Sequence, residues 1–265
     1  RRSTVLPCRQ RQSILTPDMC LILVAWRSHP DYPLVVIANR DEFYERASAE
    51  ASRWPEDPHI IGGRDLEAGG TWLAVRDDGR FAAVTNVREP GIPKGTLSRG
   101  RLTVDYLRGD MSPGQYATTT ADERYSGYNL LLADAHELWY CSNRDAAPRR
   151  LLPGIYGLSN HLLDTPWPKL VNAKSRFAEA LSSLPACGDF FAILADEEIV
   201  PDHALPETGV PLEWERLLSA IFVQSNHYGT RASTVLMRHK NGGIWMEERR
   251  FGVRGAPLAN TQITA

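Results

Sequence analysis

Two apolar stretches that lie close together in the chain decide the fold: 19-MCLILVAW-26 and 34-LVVIANRDEF-43. The first is an almost continuous apolar run headed by a cysteine, and the second closes on four polar residues and a phenylalanine. Such runs predict strands that are buried on both faces. The link between them, residues 27–33, contains two prolines and predicts a turn or short loop. The two strands are therefore expected to form an antiparallel hairpin.

This hairpin places chemically useful groups at one end. The start of its first strand lies beside the end of its second, so we expect Cys20 near Arg40 and Asp41. A guanidinium favours a thiolate, and a carboxylate can hold a nearby amine. The alternatives are a buried structural thiol and an ordinary ion pair between strand ends.

The residue before the cysteine adds a second indication. Met19 precedes a small side chain, the situation in which an initiator methionine is normally removed. Removal leaves Cys20 with a free α-amine, whose pKa of about 8 suits it to act as general base for its own thiol.

The middle of the chain predicts hairpins. Residues 44–67 are rich in Pro, Asp and Glu and predict a long surface excursion with little regular structure. Gly69 and Gly70 permit close backbone approach just after it. Further strands are predicted at 71–75, 81–86, 129–134, 137–142, 155–160, 221–225, 232–237 and 244–248.

Helices are predicted at 98–109, 170–184, 189–197 and 212–218 from their apolar spacing of three and four residues. Ser98 is the expected N-cap of the first helix, and Gly109 its stop. Hairpins followed by helices and a terminal meander predict an α+β fold with mainly antiparallel sheets and segregated helices. The strands buried on both faces further predict two facing sheets whose outer sides are covered by helices.

Composition excludes several classes of protein. The chain has 265 residues and a formal net charge of -2, so it has no basic field to attract nucleic acid or anionic lipid. No stretch approaches the roughly 18 apolar residues of a membrane helix. Cys8, Cys20, Cys141 and Cys187 show neither CxxC nor metal-ligand spacing, and the seven histidines form no metal or haem-attachment motif. We expect a reducing, cytoplasmic location and no bound metal.

Residues 1–18 are basic and polar and lack the apolar core of a secretory signal. They are interpreted as an upstream start or expression-derived leader, as a propeptide, or as a genuine N-terminal extension. We favour the first, with a disordered 1–18 and one domain over 19–265. An intact leader would remove the free amine of Cys20.

Five motifs, taken in order with the Met-Cys pair, resemble the NRDE family, which includes the Transport and Golgi organisation 2 homologues. They are NRDEF at 39–43, GGTW at 69–72, YGLSN at 156–160, TPW at 165–167 and YGTR at 228–231. More distantly, the chain resembles the cysteine amidases of the N-terminal nucleophile hydrolase superfamily, such as penicillin V acylase and bile salt hydrolase. The resemblance implies a four-layer αββα sandwich with the nucleophile at the end of a central strand.

The resemblance also implies roles for individual residues. Cys20 would be the nucleophile, Arg40 would lower its pKa, and Asp41 would orient the amine. Asn160 matches an asparagine that binds the oxyanion in the amidases, and such neutral donors suit that task.

Two further candidates have equally good structural explanations. Asn86 is a second oxyanion candidate that fits a turn residue as well. Arg231 resembles a late arginine that supports the amidase site, but an exposed arginine at a strand start explains it equally.

Two functions compete at this stage. The first is an amidohydrolase that cleaves a linear carbon-nitrogen bond of a small acyl-amide through a thioester and needs no cofactor. The second, implied by the NRDE resemblance, is a non-catalytic protein that binds and transports haem or a similar ligand, with Cys20 or a histidine as an iron ligand. A purely structural or assembly role is a third possibility.

Overall fold

The structure is a computed structural model that describes residues 19–265. The leader predicted for residues 1–18 lies outside the described residues. Strands β1 (Met19–Trp26) and β2 (Leu34–Phe43) have the predicted bounds and pair antiparallel, with Val24 opposite Val36. The predicted hairpin is confirmed.

The remaining elements, in chain order, are as follows. The strands are β3 (Ser48–Trp54), β4 (Asp57–Asp65), β5 (Leu73–Arg76), β6 (Phe81–Asn86), β7 (Tyr128–Ala133), β8 (Leu138–Ser142), β9 (Arg149–Leu151), β10 (Gly154–Leu158), β11 (Tyr228–Arg238), β12 (Ile244–Phe251) and β13 (Pro257–Thr264). The helices are α1 (Gly100–Arg108), α2 (Pro113–Ala117), α3 (Pro168–Ala180), α4 (Gly188–Leu194) and α5 (Leu212–Ser219). Short 3-10 turns occupy Leu181–Ser183, Asp202–Ala204 and Val253–Gly255.

The strands form two antiparallel sheets. The first has the order β10-β1-β2-β11-β12-β13, so the first hairpin lies inside it. The second has seven strands in the order β3-β4-β5-β6-β7-β8-β9, with β6 at its centre. The predicted α+β class with antiparallel sheets is confirmed.

Period-two alternation along β1 explains why this strand is apolar on both faces. Ile22, Val24 and Trp26 point between the sheets and pack against the second sheet. Leu21 and Leu23 point the other way, into a core that α3 and α4 cover. A third core packs α1 on the outer side of the second sheet. The layer order is therefore helix, sheet, sheet, helix, as predicted.

The prediction of an irregular excursion over residues 44–67 is wrong, because β3 and β4 form a hairpin there. Only Ala51 and Trp54 of β3 are fully buried, so the sequence shows no alternation. Gly62 and Gly63 look like turn residues but serve close packing instead. A Cβ on Gly62 would lie 2.6 Å from the Leu73 carbonyl oxygen, and one on Gly63 would lie 2.3 Å from the Trp72 ring.

Residues 221–225 are also not a strand. They pair only through one bridge, between Gln224 and Gly229. The main chain is held instead by irregular bonds, in which Phe222 N donates to Asp196 O and Val223 N donates to Thr230 Oγ1. The apolar side chains in this segment, which predicted a strand, are buried in an irregular segment instead. Strands β9 and β13 and helix α2 were not predicted.

The predicted close approach at the glycine pair is confirmed. A Cβ on Gly70 would lie 2.5 Å from the carbonyl carbon of Gly100, the first residue of α1. The glycine therefore lets the start of α1 touch the loop that leads into β5. No helix within residues 19–265 is long and apolar enough to span a bilayer.

Candidate functional site

Cys20 lies at the outer end of β1, with Arg40 of β2 as its cross-strand partner. It is partly exposed, whereas every residue from Leu21 to Trp26 is buried. The thiol borders a cleft of about 270 Å³ between the ends of the two sheets. The cleft is lined by Cys20, Arg40, Asp41, Glu42, Arg46, Asp65, Ala68, Thr71, Trp72, Val84, Asn86, residues 94–100 and Ser126. The expected proximity of cysteine and arginine is present.

Arg40 lies on the face of β2 that points between the sheets, the same face as Cys20. It is 6 % exposed and its guanidinium stacks on Trp72, 4.5 Å from the ring centre. Its Nη2 lies 3.6 Å from Glu42 and 3.9 Å from Asp65. Its Nη1 has no hydrogen-bond partner in the part of the chain that the structure describes. A buried guanidinium in this state is a donor that a thiolate or ligand can use.

Asp41 follows on the opposite face of β2, toward the helices, where its register partner is residue 19. Its Oδ1 accepts a hydrogen bond of 2.6 Å from Thr230 Oγ1. Burial raises the pKa of Asp41 to about 7, against the opposing effects of that bond and of Lys169 and Arg40. The Asp41 carboxylate and the Cys20 thiol therefore lie on opposite faces of the sheet.

Lys169 is a residue of this site that the sequence analysis missed. It lies in the first turn of α3, is buried, and donates to the carbonyl oxygens of Leu218 at 2.7 Å and Ala220 at 3.3 Å. Burial lowers the pKa of Lys169 to about 7, and the charges of Asp41 and Cys20 oppose that shift. The sequence contained one indication of this residue: Lys169 directly precedes Leu170, the first apolar position of the predicted helix.

Asn160 contacts the main chain of Cys20. Its Oδ1 accepts a 3.0 Å hydrogen bond from the main-chain nitrogen of Cys20, and its Nδ2 donates to the Asn86 carbonyl oxygen at 3.3 Å. Asn160 is fully buried with φ of 58°, a left-handed conformation that asparagine tolerates. It does not line the cleft. The geometry makes Asn160 a holder of the Cys20 nitrogen, whereas Asn86 faces the cleft.

Arg231 lies at a β-bulge, where the register between β11 and β2 shifts between Thr230 and Ala232. It is 8 % exposed, and its Nη1 donates to the carbonyl oxygens of Phe43 at 2.8 Å and Arg46 at 3.0 Å. The exposed strand-start arginine considered as an alternative is therefore wrong. Arg231 fixes the turn after β2 and does not line the cleft.

A group of charges beside Arg40 was also missed. Glu42 is buried and lies 3.4 Å from Arg46, whose guanidinium also pairs with Asp65 at 2.7 Å. Hydrogen bonding to Asp65 and the surrounding carboxylates raise the pKa of Arg46 against the effect of burial. No sequence pattern joins these residues, because they come from the ends of β2 and β4 and from the turn between β2 and β3.

Among residues 19–265, no group of three His, Cys, Asp or Glu side chains is arranged to hold a metal ion. Cys141 is buried, and Cys187 lies in a separate groove beside α4. Burial raises the pKa of each of these two thiols to about 11. Of these three thiols, only Cys20 borders the cleft between the sheets.

Fold and site together define a class: an αββα sandwich with a cysteine at the end of an inner strand, facing a charged cleft. Residues 19–252 match the model of the family described as Transport and Golgi organisation 2. The chain belongs to this family.

Relatives and one solved structure can be compared directly. The bovine Transport and Golgi organization protein 2 homolog is 35% identical over 257 residues, which cover 87% of this chain and 92% of the relative. The human homolog is 34% identical over 255 residues, with the same coverage of both chains. A solved Caenorhabditis elegans ortholog of N-acylethanolamine-hydrolyzing acid amidase is similar over 82% of this chain and 92% of that chain, with a TM-score of 0.49 and 13% identity.

Proposed function

We propose that the form of the chain that begins at Cys20 is a cysteine amidohydrolase that cleaves a linear amide through a thioester. The observation that carries the proposal is the setting of Cys20: its main-chain nitrogen donates to Asn160, its strand partner is Arg40, and it borders the cleft. A free α-amine at this position belongs to the same residue as the thiol that it must deprotonate. Release of the preceding residues is therefore a requirement of this function.

The reaction proceeds in two stages. The α-amine of Cys20 takes the thiol proton, and the thiolate attacks the amide carbonyl carbon. The tetrahedral intermediate collapses, the C–N bond breaks, and the leaving nitrogen takes the proton from the α-ammonium. Water, deprotonated by the same amine, then attacks the thioester, which releases a carboxylic acid and restores the thiol.

Each neighbouring residue has a role in this scheme. Arg40 stabilises the thiolate, and Asp41 and Asn160 hold the amine from two sides. Asn86, on the cleft wall, donates to the oxygen that becomes negative. Arg231 acts indirectly, because it fixes the turn from which Arg46 extends.

The size of the cleft supports a small ligand over haem. Sites that enclose drug-sized ligands usually measure about 300 to 1,000 Å³. At about 270 Å³, this cleft suits a short acyl-amide better than a macrocycle. Cys20 is partly exposed, and a cysteine thiolate can ligate haem iron, which is the reason to test haem binding as well.

The test compares a chain that begins at Cys20 with the full chain and with a Cys20→Ala variant. Each is incubated with a panel of short N-acyl amides, and the products and the intact mass are followed by mass spectrometry. We expect hydrolysis and an acyl adduct on Cys20 only when its amine is free. Cys187→Ala is the matched control and should retain both.

One experimental result would contradict the proposed function. A verified free N-terminus without adduct or product across the panel contradicts the hydrolase proposal. A saturable haemin spectrum that is lost in the Cys20→Ala variant would then favour the transport function instead.

A further inference from the structure

Trp72 lies at the boundary between the cleft and the core between the two sheets. It lines the cleft together with Cys20, and it also packs against the apolar side chains that fill the space between the sheets. Val84 and Leu97 line the cleft as well, but they pack in the core on the outer side of the second sheet. The Trp72 ring is therefore the wall that separates a ligand beside Cys20 from the core between the sheets.

The main chain that carries this ring is fixed on both sides. The carbonyl oxygen of Trp72 accepts a hydrogen bond of 2.8 Å from Val84 N, on the central strand β6. The carbonyl oxygen of Thr71 accepts a hydrogen bond of 2.8 Å from Thr103 Oγ1, on helix α1. Because both donors belong to regular elements, the position from which the ring extends is set by the fold.

Two contacts hold the ring itself. The Arg40 guanidinium lies 4.5 Å from the ring centre, a cation–π contact. On its edge the ring meets Gly63, where an added Cβ would lie 2.3 Å from ring atom Cη2 and 2.5 Å from Cζ2. Gly63 follows Ile61 by two residues, and Ile61 points between the sheets, so a side chain at position 63 would point the same way. The ring therefore occupies the space that the glycine leaves open.

Arg40 connects the ring to the proposed nucleophile. It is the cross-strand partner of Cys20, and the side chains of directly opposed residues lie on the same face of a sheet. A group that extends from Cys20 past Arg40 toward the interior therefore meets the Trp72 ring.

The charges that line the cleft compensate one another. Arg40 lies 3.6 Å from Glu42, and Arg46 lies 2.7 Å from Asp65. All four side chains belong to the lining. Since both signs of charge are present at short distances, we infer selectivity from the shape of the cleft instead of from its charge.

We propose that Trp72 limits the length of the acyl group that the cleft accepts, and that Gly63 sets this limit by leaving room for the ring. This inference rests on the proposed amidohydrolase and narrows its substrates to amides with short acyl groups. In that reaction the amine leaves while the acyl group stays on the cysteine as a thioester. The acyl group therefore lies on the inner side, toward Trp72, and the amine lies toward solvent.

Binding is measured by ligand-observed NMR titration of the full chain with Cys20→Ala, which removes the proposed nucleophile. The probes N-methylacetamide, N-methylbutanamide and N-methylhexanamide differ only in the length of the acyl group. With Trp72 in place, we expect the hexanoyl probe to bind about tenfold more weakly than the acetyl probe, because the closed end of the cleft has no room for it.

Variants of the tryptophan should reverse this order. In Trp72→Leu a longer acyl group reaches the apolar core, so each added methylene should strengthen binding by about twofold to fourfold. Trp72→Phe keeps an aromatic face beside Arg40 and should change the preference in the same direction by less. N-hexylacetamide, which is extended on the amine side, should gain nothing in either variant.

A second tryptophan provides the matched control. Trp54 stacks with Arg64 at the same 4.5 Å, but it packs in the core on the outer side of the second sheet and not along the cleft. Trp54→Phe should therefore keep the preference of the parent for the acetyl probe. Thermal unfolding of each variant verifies that it is folded at the temperature of the titration.

The glycine is tested by a double-mutant cycle. Gly63→Ala forces the Trp72 ring to move and should weaken binding of the acetyl probe by about threefold or more. In the Trp72→Leu background the same substitution meets no ring, so it should leave the binding of that probe unchanged. Equal effects of Gly63→Ala in the two backgrounds would contradict the role given to the glycine.

Three results would overturn the inference: an unchanged preference for the acetyl probe in both Trp72 variants, a gain for N-hexylacetamide alone, or a gain for the hexanoyl probe in Trp54→Phe equal to that in the Trp72 variants. These results are distinct from failure of the proposed function. A length preference that changes with Trp72, together with no hydrolysis by the chain that begins at Cys20, would retain the size limit and reject the hydrolase. Equally fast hydrolysis of the acetyl and hexanoyl probes would do the reverse.

Discussion

The main-chain nitrogen of Cys20 donates a 3.0 Å hydrogen bond to the side-chain oxygen of Asn160, 140 residues later in the chain. The same side chain donates to the Asn86 carbonyl oxygen at the end of β6. One asparagine therefore joins β1 of the first sheet to the central strand of the second. Since β1 and β6 belong to different layers, this link sets where the cysteine lies relative to the cleft.

Replacing Asn160 should be costly for two separable reasons. Asn160→Ala removes the hydrogen bonds of a buried side chain to Cys20 and Asn86 and places alanine at φ of 58°. We expect the free energy of unfolding to fall by about 2 to 4 kcal/mol. Asn160→Gly loses the same bonds without the strain, so it should lose about 1 kcal/mol less. Urea denaturation measures both, and parent-like midpoints would mean that the asparagine does not hold the strand ends.

The pair of Asp41 and Lys169 predicts a stability minimum near neutral pH. Burial raises the pKa of Asp41 from 3.8 to about 7, so the folded state binds its proton more tightly and stability falls as pH rises through that range. Burial lowers the pKa of Lys169 from 10.5 to about 7, so its contribution falls as pH drops through that range. The summed contribution of Asp41 and Lys169 to the free energy of unfolding is therefore smallest near pH 7.

The measurement is urea unfolding at pH 5, 7 and 9. Relative to the double variant Asp41→Asn, Lys169→Met, the parent should be least stable at pH 7. Lys174→Met serves as control, because Lys174 lies on the same helix but pairs with Asp164 at a more exposed position. A difference that does not change with pH would contradict the assignment of these shifts to burial.

The sequence predicted the parts of the fold whose patterns are local. The hairpin of β1 and β2 was predictable to the residue because its strands are apolar on both faces and its polar end is abrupt. The β3–β4 hairpin was missed because β3 is an edge strand with little buried surface and β4 contains two packing glycines. Strand β13 was missed for a similar reason, since its residues are mostly exposed.

The candidate site likewise combines features that local sequence patterns predict with features that they do not. Register alone was enough to place Cys20 opposite Arg40. It did not predict that Asn160 would hold the cysteine nitrogen, because that contact joins segments brought together only by sheet packing. Lys169 was missed because an apolar helix face normally buries no charge. Its two carbonyl acceptors belong to the last turn of α5 and to the residue that follows this helix.

Gly70 should be the less replaceable member of its glycine pair. In Gly70→Ala the new Cβ would lie 2.5 Å from backbone atoms of Gly100 and would displace the start of α1. Overpacking of this kind costs about 1 to 3 kcal/mol. Gly69→Ala is the matched control: its φ is 75° but nothing lies within 4 Å, so only backbone strain of about 1 kcal/mol applies.

Thermal unfolding separates the two glycine variants. We expect Gly70→Ala to melt below Gly69→Ala, because only the Gly70 variant forces the start of α1 to move. The reverse order of melting would show that backbone conformation, not the contact with α1, is the reason for glycine at this position.

Glu248 should make the protein less stable as pH rises from weakly acidic to neutral. The side chain is 2 % exposed, and its Oε1 accepts a 2.8 Å bond from Ala51 N, which joins β12 to β3 across the sandwich. Burial raises the pKa of Glu248 from 4.5 to about 7, despite that bond and the charge of Arg250. The folded state therefore favours the protonated acid. Stability falls as pH rises from about 4.5 to about 7, by up to roughly 3 kcal/mol.

Glu248→Gln removes this titration while it retains an acceptor for Ala51, so its advantage over the parent should grow with pH and level off above pH 7. Urea unfolding at pH 4.5, 6 and 8 measures the difference. Glu247→Gln is the control, because Glu247 points to the other face of β12 and pairs with Arg249. A parent that gained stability relative to Glu248→Gln as pH rose would have a folded-state pKa below 4.5. The bond from Ala51 would then outweigh burial, because it stabilises the charged form that burial disfavours.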